Sequence, residues 1–106
     1  MANPWTGEVT LVIDGNPRVT KLTLGALAEL EQELETGSLV ELVQRFETGK
    51  FSAKDVLALI AAGLHGAGQS MSADELGRAD IEGGPMQAAR VAAQLLARAF
   101  MIPDMP

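Results

Sequence analysis

Residues 8–35, EVTLVIDGNPRVTKLTLGALAELEQELE, constrain the fold more than any other part of this chain. The segment starts as a strand, with Val9, Leu11 and Ile13 on one face and Glu8 and Thr10 on the other. Its β-branched residues suit a pleated, half-buried surface. Asp14-Gly15 then marks a tight hairpin, because glycine tolerates the positive φ that a type I′ turn requires. Pro17 has no N–H to give to a ladder, so it belongs at the start of the return strand or on its outer edge. The return strand is expected over residues 18–22. Two strands alone are marginal in water, so the hairpin must lie on helices or pair with another chain. An open edge would be a place to add a strand.

Beyond the hairpin the chain reads as helix, and the starts are well marked. Ser38-x-x-Glu41, Ser52-x-x-Asp55 and Ser72-x-x-Glu75 each put a hydroxyl at an N-cap and a carboxylate three residues on, the pattern of a capping box, with Asp55 a shorter version of it. Thr23 is a cap without the box. Leu22 with Leu27, Phe51 with Val56, and Met71 with Leu76 have the spacing of hydrophobic staples across those caps. Gly37, Gly49 and the Gly66/Gly68 pair mark stops. A helix over 24–35 is expected to bury Leu24, Leu27, Leu30 and Leu34. The next shows a stripe of Leu39, Leu42, Val43 and Phe46. The helix over 53–65 is apolar over a wide arc and is expected to be central. Residues 73–79 make a short helix at most. Gly83-Gly84-Pro85 breaks the chain before a last helix over about 86–100. Its apolar positions are Met86, Ala89, Ala93, Leu96, Ala97 and Phe100, with Arg90, Gln94 and Arg98 as a wet stripe.

The resulting expectation is an α+β chain, an N-terminal β-hairpin packed on a bundle of four to five short α-helices. It forms one domain over 1–106, with the hairpin at 8–22, the helical bundle at 24–100 and a flexible tail at 101–106. At 106 residues, 47% of them apolar, such a domain buries a core without staples. The longest apolar run, residues 56–64, is about half of a membrane span, and the N-terminus shows no signal-peptide pattern. With no cysteine, disulfides and cysteine-based zinc or redox sites are excluded, which fits a cytoplasmic origin. The net charge of −6 comes from 14 acids against eight scattered bases, so no stripe exists to neutralise phosphates, and nucleic acid is not an expected partner.

Catalytic motifs are wanting. The single histidine, His65, ends an apolar helix beside glycines, where the helix dipole favours it, and no serine sits in a nucleophile elbow. Residues 63–68, GLHGAG, have neither the spacing nor the preceding strand of a phosphate loop. Asp14-Gly15-Asn16 is too short for a calcium loop. The chain therefore reads as a protein that works by contact, without cofactor or metal. Glu29, Glu31, Glu33 and Glu35 put four acids in seven residues with no base nearby in sequence. The pairs Glu29/Glu33 and Glu31/Glu35 repel at i, i+4 and lie in the half of the helix where the dipole disfavours negative charge. They make either a solvated face or a docking surface for a basic partner; Glu31, at the border of the apolar arc, is the acid to mutate first. Trp5 reads as a lid on the local core or a binding anchor. The apolar tail, with Met101 and Ile102, is a second candidate contact, with a partner or with another copy of the chain.

Gly7-Glu8-Val9, Asp14-Gly15 and Leu22-Thr23-Leu24-Gly25-Ala26-Leu27-Ala28-Glu29-Leu30-Glu31 resemble the small tail-assembly proteins of gene transfer agents and related prophages. The resemblance extends through residues 51–56, 63–68 and 92–100. It implies a phage tail assembly chaperone that coats the tape measure protein and helps tail tube subunits polymerise around it in the bacterial cytoplasm. The same family is also labelled a tail tube protein, so the alternative it implies is a structural subunit retained in the particle. Neither role brings catalytic residues.

Overall fold

The structure, a computed structural model, describes residues 7–33, 39–69 and 71–99. Strands β1 (Val9–Ile13) and β2 (Asn16–Thr20) form the hairpin. Helices α1 (Leu24–Glu33), α2 (Leu39–Thr48), α3 (Ala53–Gly66), α4 (Ala73–Arg78) and α5 (Gly84–Ala99) come after it, giving the α+β arrangement. Asp14 and Gly15 have φ of 52° and 80°, so the two-residue turn is of the type its sequence demands. The return strand starts two residues earlier than its composition suggests, because a two-residue turn makes Asn16 the first paired residue, opposite Ile13.

Val9, Leu11 and Ile13 are buried and point into the helices. Thr20, fully buried opposite Val9, satisfies its hydroxyl by donating to the Val9 carbonyl oxygen at 2.7 Å. Helix α3 lies at the centre, packed on α1, α4, α5 and β2, and α5 packs on β1. Leu59, Ile60 and Leu64 of α3 have no exposed surface, which at ~1.5–3 kcal/mol per fully buried aliphatic side chain makes this helix the main source of apolar stabilisation.

The caps form as their spacing predicts. Ser52 and Ser72 each accept from the N3 backbone while Asp55 and Glu75 reach back to the cap N–H, and Thr23 Oγ1 accepts from Ala26 N–H at 3.1 Å. All three staple pairs join the apolar core. Helices α2 and α3 end in matching six-to-one and five-to-two bonds, Lys50 to Arg45 and Gly49 to Phe46, then Gln69 to Leu64 and Gly68 to His65. Gly49 and Gly68 supply the positive φ such endings need. Gly66 serves another purpose. A Cβ there would lie 2.0 Å from the Lys21 carbonyl oxygen, so glycine is what allows α3 to touch the β2–α1 connection.

Two expected helix faces are corrected. Leu24 is 85% exposed. Ala26 and Leu30 set the buried side of α1, and Leu24 falls roughly 200° from Ala26 at 3.6 residues per turn. In α5 the buried residues are Ala88, Val91, Ala92, Leu95 and Leu96, while Met86, Ala93 and Ala97 face solvent. Burying Val91 and Leu95 removes more apolar area than burying alanines, and that difference sets the rotation of the helix. Arg98 is also not wet: it is half-buried and donates to the Glu8 carbonyl oxygen. Trp5, Leu34, Gly37, the Ser38 cap, Phe100 and the 101–106 tail lie outside the described residues.

Candidate functional site

Helix α1 does not present its acids as one row. At 3.6 residues per turn Glu29 and Glu33 share one flank of the buried Ala26–Leu30 side, and Glu31 emerges on the opposite flank beside Leu27. All three are exposed, and Leu24, two turns before Glu31, lies on the Glu31 side. Glu35, Met101 and Ile102, the remaining candidate contacts, lie outside the described residues.

The Glu29/Glu33 flank faces a base that sequence spacing hides. His65, in the last turn of α3 and 36 residues from Glu29, brings Nδ1 to 2.9 Å from Glu29 Oε1. Its other nitrogen, Nε2, lies 3.1 Å from the Met71 carbonyl oxygen. The hydrogen bond with Glu29 is the chief reason the imidazole pKa stands above the ordinary histidine value; burial opposes it, and the Glu29 charge, the Met71 carbonyl and the Glu33 charge add to it. Like-charge repulsion between Glu29 and Glu33 is thereby offset on this flank of α1. The helix dipole, the reason His65 suits its position, acts in the same direction.

These groups border a groove of about 130 Å³ between α1, α3 and the start of α4, lined by Glu29, Leu30, Glu33, Ala58, His65 and Ser72 among others. A larger cleft of about 430 Å³ opens on its far side, where Glu33, Arg45, Lys50, Lys54, Asp55 and Asp74 meet over Leu57 and Ala58. Its central pair is bidentate: Arg45 Nε and Nη2 donate to Asp55 Oδ2 and Oδ1 at 3.0 and 3.1 Å. Burial pushes the Asp55 carboxyl up, but the Arg45 hydrogen bonds, the Ser52 N–H and the Arg45 charge outweigh it, and the net shift is downward. The pair thus fastens α2 to the N-terminus of α3. The stacked rings of Phe46 and Phe51, 4.4 Å apart, do the same beside it. Opposite charges lining one wet seam make a joint between helices rather than a pocket for one ligand. Among the described residues no group of three or more His, Asp or Glu is placed to hold a metal, and no helix is long and apolar enough to cross a membrane.

The hairpin edges were the other candidate contact. Ile13/Asn16, Leu11/Arg18 and Val9/Thr20 exchange ladder bonds, which turns the backbone of Thr10, Val12, Pro17 and Val19 outward. On the β1 side, residues 80–82 occupy the edge: Asp14 N–H donates to Asp80, Glu82 N–H donates to Val12, and Ile13 pairs with Ile81. Asp80 N–H further donates to Asp14 Oδ1 at 2.8 Å. On the β2 side Pro17 lacks a donor, as its outer-edge position requires, and Lys21 N–H is taken by the Gly63 carbonyl oxygen at 2.8 Å. Each edge is therefore blunted in part, at Val12 and Ile13 on β1 and at Pro17 on β2. The large exposed apolar side chains among the described residues, Leu24, Val40 and Met86, sit on three different helices.

Compared with known families, residues 6–102 match the family described as phage tail tube protein, GTA-gp10. No curated protein and no solved structure matches the chain.

Proposed function

The chain belongs to the phage tail tube protein, GTA-gp10, family, and from that premise we propose that it serves tail assembly as a chaperone, binding the tape measure protein while tube subunits polymerise around it. The observation that carries this reading is the blunted hairpin. With residues 80–82 on one edge and Pro17 on the other, the sheet offers little to a permanent strand-to-strand contact between subunits. Lasting assemblies bury large apolar interfaces, whereas transient partners make do with smaller and wetter ones. Scattered apolar side chains and the exposed Glu31 on α1 suit the second kind. Net charge of −6 would speed encounter with a basic partner segment. The work would take place in the cytoplasm of a bacterial host, without nucleic acid, membrane or catalysis.

A second reading has its own support, since the family's description names a tail tube protein. In that case the chain is a subunit retained in the particle. Co-expression with the tape measure protein followed by pull-down tests the first reading, and failure to co-purify counts against it. Mass spectrometry of purified particles separates the two: a chaperone is absent from them, and a tube subunit is present in many copies.

A further inference from the structure

His65 is the only histidine, and both of its ring nitrogens contact groups that accept but do not donate. Glu29 offers a carboxylate oxygen and Met71 a backbone carbonyl. A neutral imidazole carries one N–H, an imidazolium two, so the two contacts are both hydrogen bonds only in the protonated ring. We propose that His65 is a pH-operated latch: protonated, it ties the α3–α4 connection to α1 across the end of α3, and on losing its proton it releases the connection at Met71 while keeping Glu29.

The choice of which bond breaks depends on the charges facing the ring. From α1 these are Glu29 and Glu33; the α4 side of the groove contributes the uncharged Ser72 and Ala73. Leaving a nitrogen lone pair 2.9 Å from an ionised carboxylate costs more than leaving one 3.1 Å from a neutral carbonyl. The proton that stays is therefore the one on Nδ1. The release then acts at a weak point. Met71 packs on the core and precedes Ser72, the cap of α4, and α4 has six residues, too few to be helical unaided. Gln69 stays held by Arg18 at 2.8 Å, so loosening starts at Met71 and runs into α4. Its consequence is a wider groove between α1 and α4 above the titration. This device is independent of which role the chain takes in the tail.

The test uses the full-length, nitrogen-15-labelled protein. Ring nitrogen shifts of His65 followed through pH should show two protonated nitrogens on the acid side and an Nδ1–H neutral form on the basic side. Amide exchange of residues 72–76, corrected for its intrinsic pH dependence, should lose protection across the same titration while amides in the middle of α3 keep theirs. Glu29→Gln should lower the His65 midpoint. A neutral form protonated at Nε2 overturns the proposal, as does protection of 72–76 that stays flat through the titration. Because the wild-type protein alone yields both readouts, a variant that failed to fold would not remove the test.

Discussion

Replacing Gly66 with alanine is the most discriminating test of how α3 is seated. A Cβ at this position would lie 2.0 Å from the Lys21 carbonyl oxygen, 3.2 Å from its carbon and 3.3 Å from Ala26 Cβ. Reaching ordinary contact requires a withdrawal of roughly 1 Å or more. Neither side is free to give it. Lys21 lies between buried Thr20 and Leu22, and its N–H is bonded to Gly63 of the same helix. Overpacking costs ~1–3 kcal/mol, and a backbone obstacle belongs at the upper end of that range. Alanine regains at most about 1 kcal/mol of helix propensity, leaving a net loss of about 2 kcal/mol. At ~4–8 °C per kcal/mol for a domain near this size, the melting temperature should fall by about 10 °C. Gly77→Ala is the internal control: in α4 the new Cβ would meet only Leu57 Cδ1, at 3.8 Å, so propensity should prevail and stabilise by ~0.5–1 kcal/mol. Urea titrations followed by circular dichroism, compared at equal m-values, measure both. Equal stability of the two variants, or a Gly66→Ala protein as stable as wild type, would refute the close-approach argument.

Asp55→Asn should cost ~1.5–3 kcal/mol in the same titration, since it breaks a bidentate, part-buried ion pair and half of a capping box. The folded-state carboxyl is depressed, so its contribution is present above the unfolded-state pKa and is lost as pH falls through the folded value; the gap between wild type and Asp55→Asn should close in acid. For His65 the sign is opposite. Its folded-state pKa is raised, so His65→Gln should cost most below the ordinary value near 6.5, and the pH-dependent part of that cost should be lost as pH rises through the folded value. With side chains 38% and 47% exposed, that pair is screened and the effect small. Leu59→Ala, at a position with no exposed surface, should lose ~2–5 kcal/mol. Glu31→Lys should leave stability within about 0.5 kcal/mol and weaken capture of a basic partner, measured by titration calorimetry.

What is legible in the sequence is what short-range chemistry decides. The Asp14-Gly15 turn, the boxes at Ser52 and Ser72, the staples and the Gly49 and Gly68 stops each depend on residues within five positions of one another. Helix phase is less legible where alanine dilutes the pattern. In α5, Ala89, Ala93 and Ala97 suggest a face roughly opposite the one that Val91 and Leu95 set. Leu24 misleads for another reason, since it points roughly 200° away from Ala26, which with Leu30 sets the buried side of α1. The acids of α1 are visible as a cluster, but their division is not, because the His65 partner of Glu29 comes from a helix 36 residues on. Nor does any local signal announce that residues 80–82 will cover the β1 edge. That contact is a product of where α5 begins.

The Asp14–Asp80 contact also sets an order in time. The hairpin is local and can close in microseconds once made, yet the segment that covers its outer edge is encoded 66 residues later. At synthesis rates of ~5–20 residues per second, β1 emerges with a bare edge for roughly 3–13 s before its cover exists. During those seconds many nascent copies on one message would offer one another an unpaired strand. Slowing translation of the chain between α3 and residue 80 should therefore raise the yield of insoluble protein without changing the stability of the molecules that do fold.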